Sequence, residues 1–166
     1  MFFEERGLSD EPLRRGVPQR RKKYSLRPLH KTMLSSESTI TIRFSDCDPM
    51  GHANNASYFT FMEESRVILF QDTFPTPALD VDAATSYPFI IAEITCRFLA
   101  PTYANQKIII KNRIAHIGNS SFTIEYDLLD AKTQKPVASG KSVQVWYDYK
   151  LKTSAPIPEK IKKLFS

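Results

Sequence analysis

The sequence predicts an α+β fold in which a five-stranded antiparallel sheet wraps around one long central helix. Three observations carry this expectation. A segment with the two-residue period of a half-buried strand comes first, a helical stripe apolar around most of its girth comes second, and four β-rich segments broken by turn residues follow. A chain of 166 residues is the size of one domain with one core.

The first strand is read from Ile40, Ile42 and Phe44, which alternate with Thr39, Thr41 and Arg43, and it is predicted to end at Ser45. Asp46 to Asn55 contains Pro49, Gly51, Asn54 and Asn55 and reads as a loop. Tyr58, Phe61, Met62, Ser65, Ile68 and Leu69 then recur at helical steps, and Phe59, Val67 and Phe70 widen the stripe, so the helix is expected to be largely enclosed. Thr73 to Pro88, with Pro75 and Pro77, reads as a connector bordering a site.

Four strands are expected after it. Ile90, Ala92, Ile94, Cys96 and Phe98 alternate with Ile91, Glu93, Thr95, Arg97 and Leu99 until Pro101 stops the run. Ile108, Ile110 and Ile114 face one way and Lys107, Lys111 and Arg113 the other, with His116 on the inward register as a structural histidine. Gly118-Asn119 marks a hairpin, after which Phe122, Ile124, Tyr126 and Leu128 share a face. The last strand runs from Val137 to about Tyr149, and Pro158 to Leu164 is read as a short terminal helix. The domain is placed at residues 39–150, with an extension at 1–38 and a tail at 151–166. Five strands leave open edges, which a second copy would cover as a homodimer or a dimer of dimers.

Charge and cysteine usage narrow the function classes. Residues 1–38 hold 9 Lys/Arg against 5 Asp/Glu, and the rest hold 14 against 13, so the basic surplus belongs to the leader and not to the domain. A nucleic-acid role is therefore not expected, since a polyanion-binding domain carries its cations on its folded face. No apolar run is long enough to span a bilayer, and the leader lacks the apolar stretch of a signal peptide. Cys47 and Cys96 have no metal-type spacing, and a reduced cytoplasmic setting is the simplest inference. Cys47 lies between two carboxylates that disfavour its thiolate, and Cys96 reads as a small core residue.

Met33 sits just before the first strand, so the folded unit is expected to begin near it. Deleting residues 1–32 should then leave the melting temperature and turnover nearly intact. A large drop in either would contradict that start.

The densest polar cluster is Asp46, Asp48, His52, Asn54 and Asn55, all ahead of a helix start. The first N–H groups of a helix lack internal partners and sit at the positive end of its dipole, so they can receive a developing oxyanion. A carboxylate nearby can attack a carbonyl carbon, giving a mixed anhydride, or deprotonate a water. The same residues also serve as helix caps and Asx-turns, and both readings stand on the sequence alone.

The run Asp46-Cys47-Asp48-Pro49-Met50-Gly51-His52-Ala53-Asn54-Asn55-Ala56-Ser57-Tyr58, followed by Phe61-Met62-Glu63-Glu64-Ser65-Arg66, resembles the signature of the hotdog acyl-CoA thioesterases of the 4-hydroxybenzoyl-CoA thioesterase family. Phe98-Leu99-Ala100-Pro101, Ile117 to Phe122 and Val143 to Asp148 fit the same family. The resemblance implies a hotdog fold and hydrolysis of an acyl-CoA to an acid and free CoA, without a cofactor or a metal. It implies Asp48 as the catalytic carboxylate and the Asn55 backbone N–H as the group holding the thioester oxygen, while Asp46 shapes the loop. His52 either orients substrate or water or holds the loop. Met50 stands where the plant acyl-ACP thioesterases have a catalytic asparagine, so their full mechanism does not transfer. Glu63 and Glu64 match acidic positions of the bacterial and plant enzymes, and adjacent helix residues point about 100° apart, so at most one faces the site. Substrate contacts are expected from Gly51, Asn54, Tyr58, Ser120 and Ser121, and phosphate contacts from Arg97, Lys107, Lys111 and Arg113. An acyl-ACP thioesterase and a non-catalytic acyl-CoA sensor are the alternatives, and a hotdog dehydratase is disfavoured because its acid and histidine spacing is missing.

Overall fold

A computed structural model describes residues 33–71, 74 and 88–166. The strands are β1 (Ser35–Thr41), β2 (Phe89–Phe98), β3 (Lys107–Ile117), β4 (Ser121–Asp130), β5 (Pro136–Asp148) and β6 (Thr153–Ser154). The helices are α1 (Asn55–Gln71) and α2 (Glu159–Phe165). The main sheet runs β1-β3-β4-β5-β2 with antiparallel pairing throughout, and the two-residue β6 hangs on β5. The sheet therefore has six strands where five were expected. β6 is too short to carry a periodic pattern, and only its pairing with Tyr147 and Asp148 reveals it.

The strand alternation holds in β3 and β4, where Ile108, Ile110, Ile114, Phe122, Ile124, Tyr126 and Leu128 are all buried in the core they share with α1. Elsewhere it needs correction. β1 starts at Ser35 and stops at Thr41, and Phe44 lies in a 3₁₀ turn, 88% exposed, rather than continuing the strand. A bulge between Ile91 and Glu93 moves Ile90 to the outer face, while Ile91, Ile94, Cys96 and Phe98 pair with the inward-facing register of β5. A second irregularity at Ala115 pairs His116 with Thr123, turning the histidine to the exposed side instead of inward.

The buried face of α1 is rotated from the one expected. Arg66 is buried and Ile68 is 42% exposed. The guanidinium is drawn inward because its Nη1 donates to the Tyr126 hydroxyl at 3.3 Å, which meets the Ser142 hydroxyl at 2.9 Å. The Gln144 amide closes this chain, accepting from the Ser142 hydroxyl at 2.5 Å and donating to the Phe122 and Ser142 carbonyls at 3.0 and 3.2 Å. Beside it, Asn112 donates to the Ser65 hydroxyl at 2.7 Å and accepts from that of Ser36 at 2.6 Å. A row of satisfied polar groups thus crosses an otherwise apolar interface, fixing the register of helix on sheet.

The C-terminal segment belongs to the core rather than forming a tail. Phe165 is fully buried, with ring centroids 4.9 Å from Phe122 and 5.9 Å from Phe70, and its carbonyl accepts from the Leu34 N–H at 3.2 Å. α2 closes the end of the sheet at which α1 finishes. α1 lies chiefly over β1 and β3, which leaves the inner face of β2 open at Ile91 and Phe98. Helix and sheet are therefore less completely closed on each other than the sequence suggests. The Thr73 to Pro88 connector lies outside the described residues except for Phe74 and Pro88.

Candidate active site

The loop between β1 and α1 is built on Asp46. Its buried carboxylate accepts from the Arg43 backbone N–H at 2.7 Å and from Arg43 Nη2 at 2.7 Å, and its carbonyl accepts from the Asn54 N–H and the Ser57 hydroxyl, each at 2.8 Å. Hydrogen bonding from Arg43 holds the Asp46 carboxyl below its ordinary range, against the opposing effect of burial. A carboxylate whose folded pKa is depressed contributes stability that is complete above its unfolded value and is lost as pH falls through the folded one. Asp46→Ala should therefore cost about 2 kcal/mol at neutral pH, by loss of a charged hydrogen-bond set. The gap between variant and wild type should close as the pH drops below about 4, in urea melts taken across that range. An equal gap at all pH values would show that the charge is not the source.

Asp46 sets up a tight turn. Cys47 and Ala53 form an antiparallel bridge, the Asp48 N–H donates to the His52 carbonyl at 3.0 Å, and Gly51 sits at φ 86°, where a side chain would be strained. The Ala53 N–H donates to the Thr102 carbonyl at 2.8 Å, docking the turn on the segment after β2. Within it, Asp48 Oδ1 accepts from the Met50 N–H at 2.9 Å, while Oδ2 lies 3.7 Å from His52 Nδ1. The Asp48 side chain is 12% exposed, so one oxygen is fixed and the other faces the histidine.

α1 begins directly after this turn. Asn54 caps it, its side-chain oxygen accepting from the Ala56 N–H at 2.9 Å. Among the described residues, nothing accepts a hydrogen bond from the Asn55 N–H. Asn55 opens onto a cleft of about 280 Å³, walled on one side by His52, Ala53, Asn55 and Tyr58 and on the other by the segment from Phe98 to Pro101. The cleft thus combines an unpartnered donor at a helix start with an imidazole backed by a carboxylate.

The structure brings Asp48, Gly51, His52, Asn54, Asn55 and Tyr58 together; Asp48 is not among the residues lining the cleft, and its Oδ2 lies 3.7 Å from Nδ1 of His52, which is. Arg97 lies beside the Phe98 wall, and exposed Lys107 opens β3 at the same end of the sheet. Other expected residues are engaged elsewhere. Glu63 is exposed and lies 3.7 Å from Arg66, and Glu64 borders a separate groove with Arg43 and Asp46. Arg113 is taken up by Glu125 and Asp127, and Lys111 by Glu37. Ser120 and Ser121 stand at the opposite end of the sheet, where Ser121 pairs with Val145, so they do not reach the cleft of their own chain. Among the described residues no three His, Cys, Asp or Glu side chains converge as a metal site. No helix of the described chain is long and apolar enough to cross a membrane.

Sequence reasoning missed Thr102, which is fully buried and receives both the turn and the Tyr58 hydroxyl, the latter at 2.9 Å. Its only local signal is its place after Pro101 at a strand end. Burial pushes the thiol of Cys96, which lies on the inner face of β2, up to about 11, leaving it a protonated packing group.

Comparison with known proteins agrees with this architecture. Residues 42–165 match the family described as Thioesterase-like superfamily. The acyl-acyl carrier protein thioesterase ATL3 of Arabidopsis thaliana chloroplasts is 24% identical over 131 residues, which are 78% of this chain and 66% of that protein. The chain thus spans just under two thirds of that relative. A predicted thioesterase from Bacillus stearothermophilus superposes with a TM-score of 0.70 at 27% identity, over 79% of this chain and 93% of the other. A Thermus thermophilus thioesterase solved with coenzyme A and Zn superposes with a TM-score of 0.67 at 26% identity, over 80% and 92%. With a match across most of its length and an antiparallel sheet laid around a central helix, the chain belongs to the Thioesterase-like superfamily and carries its hotdog fold.

Proposed function

We propose that this protein is an acyl-CoA thioesterase acting in the cytoplasm. The observation that carries the reading is the unpartnered N–H of Asn55 at the start of α1, in a residue that lines the same cleft as His52, with the Asp48 carboxylate 3.7 Å from the imidazole. A thioester carbonyl oxygen resting on that N–H is polarised by the helix start. A water between His52 and the carbonyl loses a proton to the Asp48–His52 pair, and the resulting hydroxide attacks the carbonyl carbon. The tetrahedral oxyanion collapses, the carbon–sulfur bond breaks, and the proton leaves with the CoA thiolate. Because Asp48 sits behind His52, activation of water is favoured over direct attack by the carboxylate.

Coenzyme A as carrier is supported by the Thermus thermophilus relative solved with it, and by Arg97 and Lys107 at the cleft end of the sheet as phosphate contacts. The likeness to the ATL3 acyl carrier protein thioesterase keeps acyl-ACP as the second reading. The open edge of β2, together with exposed Ile91, Phe98, Val67 and Ile68, supports a homodimer as the working unit. Pairing there would bring the partner's hairpin serines toward this cleft. Thiol release from short, long, branched and aromatic acyl groups, each presented on CoA and on acyl carrier protein, tests the proposal. Faster turnover on CoA is expected. Faster turnover on the carrier protein supports the second reading, and no turnover on either contradicts both.

A further inference from the structure

We propose that Tyr58 is the end-stop of the acyl channel and restricts the enzyme to compact acyl groups, a reading that rests on the thioesterase assignment above. Tyr58 follows Asn55 by three residues, so its ring lies on the same helix face, one turn beyond the N–H that would hold the thioester oxygen. It forms the inner wall of the cleft yet is only 2% exposed. Three contacts pin it. The hydroxyl meets that of Thr102 at 2.9 Å, and Thr102 is itself fully buried. The Phe98 ring meets it edge-on with centroids 5.1 Å apart, and the Phe61 ring lies tilted at 5.8 Å. A ring held by a buried hydrogen bond and two aromatic neighbours does not swing aside at low cost.

The cleft it lines measures about 280 Å³. The thioester and the end of its carrier occupy part of that space, and a long chain passing the carbonyl runs into the Tyr58 ring. Beyond the ring the helix presents Phe61 and Met62 and the sheet presents Cys96, all uncharged. Truncating Tyr58 would therefore extend the channel into apolar surroundings suited to alkyl chain. Phe98 is 40% exposed at the mouth, and trimming it widens the same channel without emptying the core.

The test is kcat/KM for acetyl-, butanoyl-, octanoyl-, dodecanoyl- and benzoyl-CoA with the wild type, Tyr58→Ala, Tyr58→Phe and Phe98→Ala. The wild type is expected to favour butanoyl and benzoyl over dodecanoyl. Tyr58→Ala should raise the dodecanoyl-to-butanoyl ratio by about tenfold or more, on the scale by which pocket methylenes discriminate. Tyr58→Phe keeps the ring and should leave the ratio near that of the wild type, while Phe98→Ala should move it in the same direction as Tyr58→Ala. If Tyr58→Ala does not fold, Phe98→Ala decides. A wild type that prefers dodecanoyl, or variants that lower all substrates by one factor, overturns the end-stop while leaving thioester hydrolysis standing. A wild type inert to every thioester on CoA and on acyl carrier protein fails the thioesterase assignment and the end-stop with it.

Discussion

Asp48→Asn is expected to lower kcat by about 10²- to 10⁴-fold, the usual contribution of a positioned general base. The amide has the size of the carboxylate, and its oxygen still accepts from the Met50 N–H, so the turn from Cys47 to Ala53 keeps its shape. What disappears is the negative charge facing His52 Nδ1, and with it the support that lets the Asp48–His52 pair take the proton from water. KM should change little, because no interaction with the ground-state thioester is removed. Steady-state thiol release with a folded variant, checked by an unchanged melting temperature, measures the effect. Hydrolysis near the wild-type rate would eliminate Asp48 from the chemistry and leave its bond to Met50 as its whole role.

The largest expected effect on stability comes from Gly140, in the middle of β5. A Cβ built there lies 2.5 Å from Met62 Sδ and 2.8 Å from the Thr95 carbonyl oxygen. The methionine is flexible and yields. The carbonyl is backbone of β2, which pairs with β5 at Thr95 and Lys141, and its retreat loosens the edge strand that walls the cleft. Gly140→Ala should cost about 3 kcal/mol, at the upper end for overpacking, and lower the melting temperature by roughly 6–12 °C for a chain of this length. Adding Met62→Ala should not recover the loss, since the clash with the Thr95 carbonyl remains and truncating a fully buried methionine leaves a cavity. A single variant that melts with the wild type would mean that helix and sheet do not approach as closely as the structure shows.

Much of this fold was legible because burial and period agree. In β3 and β4 every second residue from Ile108 to Ile114 and from Phe122 to Leu128 is buried, apolar apart from Asn112, and Gly118-Asn119 stands where the chain reverses. The failures have specific causes. Phe44 continues an alternating pattern, but the Arg43–Asp46 bond bends the backbone into a 3₁₀ turn. The bulges after Ile91 and Ile114 each shift a register, and nothing in the local composition marks them. Arg66 turns inward because Tyr126, distant in sequence, offers it a hydroxyl. Val67, Ile68 and Phe98 look like core in the sequence and are exposed in the described chain, on the side of α1 and β2 left uncovered by the sheet.

The site was legible to the extent that it is local. Asp46 to Asn55 forms one contiguous turn and cap, so its residues are neighbours in space as in sequence. The opposite wall comes from Phe98 to Pro101, and the anchor for Tyr58 is Thr102, more than forty residues away. Ser120 and Ser121 show the converse, since a motif match does not say which end of a sheet a hairpin occupies. The Asp48 side chain likewise required coordinates, because spacing does not reveal that its Oδ2 faces His52 Nδ1 at 3.7 Å.

The most direct measurement is a crystal structure of Asp48→Asn with an unhydrolysed acyl-CoA. The account predicts the thioester oxygen about 2.7–3.1 Å from the Asn55 N, with the carbonyl carbon beside His52 and the side chain at position 48 behind it. A thioester bound away from the start of α1, or with its oxygen turned from that N–H, would contradict it.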